Sequence, residues 1–197
     1  MDERVVIVGA GPAGLAAAWE IRRAELDPLV IDRADAVAAS WRGRHDHLRL
    51  NTHRMFSHQP GVRIPRRCGS YPARDAYVAY LQEYSAGMRL RLGTQVDRID
   101  RTDGGWVLAL EAGSLTAAHA VIATGSDAEP VLPDWPGLSS FGGTVIHASR
   151  FGLDSSIYGN MHVHRRQARQ LARAITGSRP AQWPDMPPST ASVTPAM

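Results

Sequence analysis

Three glycines at fixed spacing carry the clearest chemical message in the chain: Gly9, Gly11 and Gly14, within Gly9-Ala10-Gly11-Pro12-Ala13-Gly14. A GxGxxG run between a strand and a helix suits the binding of a pyrophosphate. Gly9 permits a tight turn, Gly11 lets the pyrophosphate approach the backbone, and Gly14 lets the helix pack close to the strand. Unpaired N–H groups near Pro12 and Ala13, at the helix start, would face the phosphates with the positive end of the helix dipole. Asp32 lies 18 residues beyond Gly14, near the spacing of about 20 at which an acid receives ribose hydroxyls. A carboxylate there repels a 2′-phosphate, so the site suits FAD or NAD better than NADP. Arg33 beside it slightly weakens that exclusion.

Definite elements must position these residues. Residues 4–8 (RVVIV) form an apolar run of strand length, and LAAAWEIRRAEL after the glycines reads as helix. A second apolar run, Pro28-Leu29-Val30-Ile31, ends in Asp32. Residues 37–67 are polar, rich in Arg and His and without periodicity, which points to a functional loop. Tyr77, Tyr80, Leu81 and Tyr84 then fall at helical spacing, with Gly87 to close the helix. Packing of that helix is the preferred reading of its three tyrosines. Strand-like pieces follow at 89–99, 105–111 and 115–123, separated by glycine turns, as in a β-meander. The last ends in Ala123-Thr124-Gly125, small residues against which a ligand can lie at the carboxyl end of a sheet strand. Pro130, Pro133, Pro136 and Gly137 form a stiff exit from the domain.

Composition excludes several classes. The 197 residues hold 22 basic and 19 acidic side chains, and every basic one is Arg. Residues 1–150 balance 17 Arg against 17 acids, so the net charge of +3 belongs to the last 47 residues. A neutral body gives no reason to expect a nucleic-acid partner. No run approaches the 18 apolar residues of a membrane span, and the N-terminus lacks the positive charge of a signal peptide. A cytoplasmic location is the resulting expectation. Cys68 is alone, so an intrachain disulfide, a CxxC metal site and a redox-active cysteine pair are excluded. The histidine pairs His45/His47 and His162/His164 lack further ligands at zinc spacing and read as solvated surface.

A longer motif narrows the assignment. Residues 141–151, FGGTVIHASRF, fit FxGxxxHxxx(Y/F) and resemble the identifying sequence of flavin-containing monooxygenases. Baeyer–Villiger monooxygenases are similar but carry Trp where this chain has Phe151. SWRGRHDHLRLNT and ATGSDAEPVLPDWPG also resemble segments of the family, and the nearest likeness is to the branch of plant auxin-forming enzymes and their bacterial relatives. The resemblance spans about residues 4–159. It implies a Rossmann-like α/β FAD-binding domain with an inserted meander, in an oxidoreductase. Gly9, Gly11, Gly14 and Asp32 would hold the ADP half of FAD, with Arg33, Trp41 and Thr52 nearby. Val96 would offer its backbone to the adenine, and Gly125 would sit where the chain crosses near the cofactor. The family reaction is NADPH- and dioxygen-dependent oxygenation of a small organic substrate through a C4a-hydroperoxyflavin. It requires no side-chain acid or nucleophile. None is recognisable: Tyr84-Ser85-Ala86-Gly87 lacks the glycine that a nucleophile elbow needs two positions before its serine. His147 has no identifiable carboxylate partner and reads as structural rather than catalytic. Asn51 matches an asparagine that some members use near the flavin, in surroundings that fit that motif poorly.

After Gly159 the family pattern calls for a strand and a second GxGxxG for NADPH, and neither is present in the sequence. The expected organisation is therefore an FAD-binding domain over 1–150, a degenerate start of the NADPH-domain region over 151–178, and a disordered tail over 179–197. Residues 164–176 could form a short basic helix. A truncated monooxygenase of reduced or no activity is the leading expectation, with self-association through the exposed interdomain face. The alternatives are a non-catalytic FAD- or NAD-binding module whose basic tail docks a partner, and a small NAD-dependent dehydrogenase. The last needs a catalytic Tyr-Lys pair or its equivalent, and the chain has no Lys.

Overall fold

A computed structural model describes residues 2–44, 46–126 and 136–142. Strand β1 (Glu3–Val8) is buried at Val5, Val6 and Ile7, as a central parallel strand covered on both faces must be. Helix α1 (Pro12–Arg22) follows, with proline in its first turn, where the missing N–H costs nothing. It starts before the expected Leu15 and stops at Arg22. There Glu25 turns left-handed (φ 62°) and the Leu26 N–H bonds back to the Ile21 carbonyl. Strand β2 (Leu29–Ile31) pairs parallel with β1.

The polar stretch from residue 37 holds two one-turn helices, α2 (Ala39–Arg42) and α3 (Arg54–Ser57). Helix α4 (Arg74–Tyr84) buries Tyr77, Val78, Tyr80, Leu81 and Tyr84. Arg74 anchors it to the preceding loop through Asp46 at 2.7 Å and through the Arg44 carbonyl.

The expected strand over 89–99 divides into two elements of different function. Strand β3 (Arg89–Arg91) pairs parallel with β2, whereas β4 (Val96–Thr102) opens the meander and pairs antiparallel with β5 (Gly105–Leu110). Gly93, at φ 63°, lies in the break. Strand β6 (Gly113–Ile122) is antiparallel to β5 and parallel to β1, so one six-stranded sheet results, ordered β3-β2-β1-β6-β5-β4. Edge strand β4 alternates its charges (Asp97, Arg98, Asp100, Arg101), which discourages pairing with another chain.

One hydrophobic cluster joins β1 and β2 to α1 and α4 through Val5, Ile7, Leu15, Ile21, Tyr77, Leu81 and Tyr84. A second joins Val6 and Ile31 to the meander residues Leu108, Leu110, Leu115 and Ala117. The α4 tyrosines are core residues, as helix packing requires, and burial pushes the Tyr77 and Tyr84 phenols far above their usual range. The Tyr80 hydroxyl accepts the Gln59 N–H at 2.6 Å and donates to the Val62 carbonyl at 2.6 Å, pinning the loop to the helix. Tyr80→Phe removes both bonds from a buried site. The expected loss is about 1–3 kcal/mol, read as a lower urea midpoint with an unchanged denaturant slope.

Candidate cofactor-binding site

The carboxyl ends of β1, β2 and β6 converge on the glycine turn. The Gly9 N–H donates to the Ile31 carbonyl at 2.7 Å, and the Ala123 N–H donates to the Val8 carbonyl at 2.8 Å. Gly9 has φ 116°, and a Cβ there would lie 2.3 Å from the Ala123 carbonyl oxygen. At Gly14 a Cβ would lie 1.8 Å from the Gly9 carbonyl oxygen, because α1 rests directly on the turn. Gly11 differs from both: its Cβ would meet nothing within 4 Å. It is the N-cap of α1, in extended conformation, with no side-chain cap and no acid in the first turn. The turn is therefore closed on its protein side at Gly9 and Gly14, and open at Gly11. There the free N–H groups of the first helical turn supply donors and positive potential.

Asp32 stands at the end of β2, half-buried. One carboxylate oxygen accepts the Ala10 N–H at 2.6 Å and the other accepts the Ala34 N–H at 2.9 Å. Two oxygens offer about four acceptor positions, so capacity for ribose hydroxyls remains. Arg33 is exposed beside it. Val96 opens β4 beside a register shift at Val96/Arg98, and its carbonyl accepts the Gln95 side-chain amide at 3.1 Å. The link to the turn runs through Asp32, whose carbonyl accepts the Thr94 N–H at 2.8 Å. Ala123 is half-buried, Thr124 and Gly125 are exposed, and Gly125 has φ 81°.

Gly9, Gly11, Pro12, Ala13, Gly14, Asp32, Arg33 and Ala123 are thus brought to one end of the sheet, with Thr124 and Gly125 continuing from it. Trp41 and Thr52 have other contacts. Trp41, on α2, packs its ring edge-on against Tyr77 at 4.7 Å between centroids. The Thr52 hydroxyl bonds to the exposed Asn51 side chain at 3.2 Å. Helix α2 is still tied to the turn, since the Ala38 N–H donates to the Ala10 carbonyl at 3.0 Å. Ala34, Ala38 and Thr94 brace the candidate site, and sequence reasoning missed them because they act through backbone groups that no residue type announces. His147, all but the first two residues of the 141–151 motif, His45, His162, His164 and the regions 151–178 and 179–197 lie outside the described residues. Among the described residues no group of His, Cys, Asp and Glu could hold a metal ion, and no helix is long and apolar enough to cross a membrane.

A Rossmann-like nucleotide-binding domain, its parallel sheet continued by an antiparallel meander, is the class that fold and turn define. The sequence pattern of the pyridine nucleotide-disulphide oxidoreductase family matches residues 6–154. Indole-3-pyruvate monooxygenase YUCCA1 of Oryza sativa subsp. japonica is 39% identical over 152 residues, which cover 74% of this chain and 37% of that protein. Probable indole-3-pyruvate monooxygenase YUCCA4 of Arabidopsis thaliana is 32% identical, over 77% of this chain and 38% of that protein. The structure of a flavin-containing monooxygenase from Stenotrophomonas maltophilia superposes with a TM-score of 0.68 at 29% identity, covering 73% of this chain and 44% of that one. The chain belongs to the pyridine nucleotide-disulphide oxidoreductase family, and its match falls among the flavin-containing monooxygenases, as the 141–151 motif implied. It spans under two fifths of the length of these two curated relatives. Despite the family's description, a sequence with Cys68 alone holds no cysteine pair.

Proposed function

We propose that this chain binds FAD through its ADP half, as the FAD-binding portion of a flavin-dependent monooxygenase. The full reaction in this reading is NADPH- and dioxygen-dependent oxygenation of a small organic substrate. The observation that carries it is the glycine turn: blocked by backbone at Gly9 and Gly14, open at Gly11 beneath an uncapped helix start, with Asp32 at the neighbouring strand end. The open space at Gly11 supports the placing of a pyrophosphate there, and Asp32 at the neighbouring strand end supports the placing of a ribose.

In this reading the N–H groups at the start of α1 hold the pyrophosphate. Asp32 accepts the adenosine ribose hydroxyls with its remaining lone pairs, and the backbone around Val96 receives the adenine. Ala123, Thr124 and Gly125 give the cofactor a surface without bulky side chains. Bound flavin supplies the redox chemistry, and the protein contributes orientation, electrostatics and exclusion of water.

Incubation with FAD, gel filtration and an absorbance spectrum test the reading, followed by NADPH under anaerobic conditions. Flavin co-eluting with the chain is the expected result, and elution without flavin overturns the reading. Bleaching by NADPH would show that the chain also carries the reductase step; flavin that stays oxidised would mark it as the cofactor-holding portion alone.

A further inference from the structure

We infer that Asp32 is a positioning residue that holds the glycine turn in its binding shape with its own two carboxylate oxygens, apart from any contact with a ribose. The inference rests on the proposed FAD site and concerns what Asp32 does before a ligand arrives. Ala10, between the first two glycines, is fully buried. Its N–H donates to Asp32 Oδ2 at 2.6 Å, and its carbonyl accepts the Ala38 N–H at 3.0 Å. Asp32 Oδ1 accepts the Ala34 N–H at 2.9 Å. The Asp32 main chain is equally committed, donating to the Arg91 carbonyl at 3.1 Å and accepting the Thr94 N–H at 2.8 Å.

One residue therefore bonds to the glycine turn, to the loop after β2, and to the segment between β3 and β4 that leads to Val96. The first and last of these are the segments proposed to receive the pyrophosphate and the adenine. Four hydrogen bonds made by Asp32, three accepted and one donated, tie these segments together. Both carboxylate oxygens are needed as acceptors, because both partners are donors. In Asp32→Asn one oxygen becomes an NH2 group and faces an N–H, so one of the two bonds must break.

Amide hydrogen exchange of the full chain without cofactor is the first measurement. In Asp32→Asn at least one of the Ala10 and Ala34 amides, the one left facing the new NH2 group, is expected to exchange about 10- to 100-fold faster, the size of a lost hydrogen bond to a charged group. The Leu108 amide, in β5 away from the turn, should keep its rate. Asp32→Glu is the second variant, should the first fail to fold. It keeps a carboxylate able to reach a ribose, but its extra methylene displaces the oxygens from both amides, so the same two amides should exchange faster.

Binding of adenosine diphosphate and of its analogue lacking both ribose hydroxyls separates positioning from ribose contact. Positioning makes Asp32→Asn weaken the analogue as well as adenosine diphosphate, whereas a ribose contact alone weakens only adenosine diphosphate. A penalty that disappears with the analogue, wild-type exchange at Ala10 and Ala34, or a uniform rise that includes Leu108 would each overturn the inference. Failure of the wild-type chain to bind either nucleotide would count against the proposed function instead, and the exchange rates would still decide the role of Asp32.

Discussion

Gly14→Ala is expected to abolish FAD binding and to destabilise the fold at the same time. A methyl group at this position would lie 1.8 Å from the Gly9 carbonyl oxygen and 3.0 Å from its carbonyl carbon. Both are backbone atoms of a turn already held by the Gly9 bond to Ile31, so no flexible side chain can yield. Helix α1 must lift from the strand end, and Leu15, Ala18 and Ile21 move with it away from the sheet. Overpacking a tight site costs about 1–3 kcal/mol and occasionally more. Because backbone rather than side chain must give way, the upper end of that range is expected here. Urea unfolding reads the stability and gel filtration with FAD reads the binding. A variant with wild-type stability that retains flavin would show that α1 does not press on the turn.

The tight turn at Gly9 and the close helix packing at Gly14 were legible in the sequence because one backbone shape satisfies strand, turn and helix together. RVVIV, GAGPAG and the following helix can be joined in few other ways. The helix with Tyr77, Tyr80, Leu81 and Tyr84 was legible for a similar reason: those spacings place all four on one face, and that face is buried. The strand pieces were read less well. Residues 89–99 look like one extended run, since nothing local reveals that β3 completes the parallel sheet while β4 begins the meander. Which strand each half pairs with is decided by residues more than fifty positions away in the case of β3, and pairing of that kind leaves no periodicity to read. The loop over 37–67 was recognised as irregular, but its two one-turn helices are too short to show a period.

Asp32 marks the limit of residue-type reasoning at the site. Its spacing from Gly14 suggests a ribose acid, and the structure sets it directly after β2. The bonds to Ala10 and Ala34 depend on the direction of two backbone N–H groups, which alanine does not encode. Trp41 shows the converse. The family resemblance places it near the cofactor, whereas its observed partner is Tyr77 of α4, so part of its use is to seat α2 on the core. A residue chosen by motif thus carries a packing duty as well, and its substitution would act by two routes, through packing and through any cofactor contact.

Gly11→Ala separates those routes and gives the second large effect. At Gly11 the backbone has φ −82°, which alanine adopts freely, and the added methyl meets nothing within 4 Å. Stability should therefore stay within about 1 kcal/mol of wild type, the change expected from placing alanine at a helix N-cap. The same methyl fills the open space through which a pyrophosphate must reach the first N–H groups of α1. Loss of one charge-assisted hydrogen bond is worth about 1.5–3 kcal/mol, so FAD should bind roughly 10- to 100-fold more weakly. Paired with Gly14→Ala, this variant distinguishes a phosphate cradle from a merely tight turn: the cradle requires weaker FAD binding at nearly unchanged urea stability. If Gly11→Ala holds FAD as wild type does, the pyrophosphate does not lie against this turn, and the Rossmann-like element serves the fold without serving the cofactor.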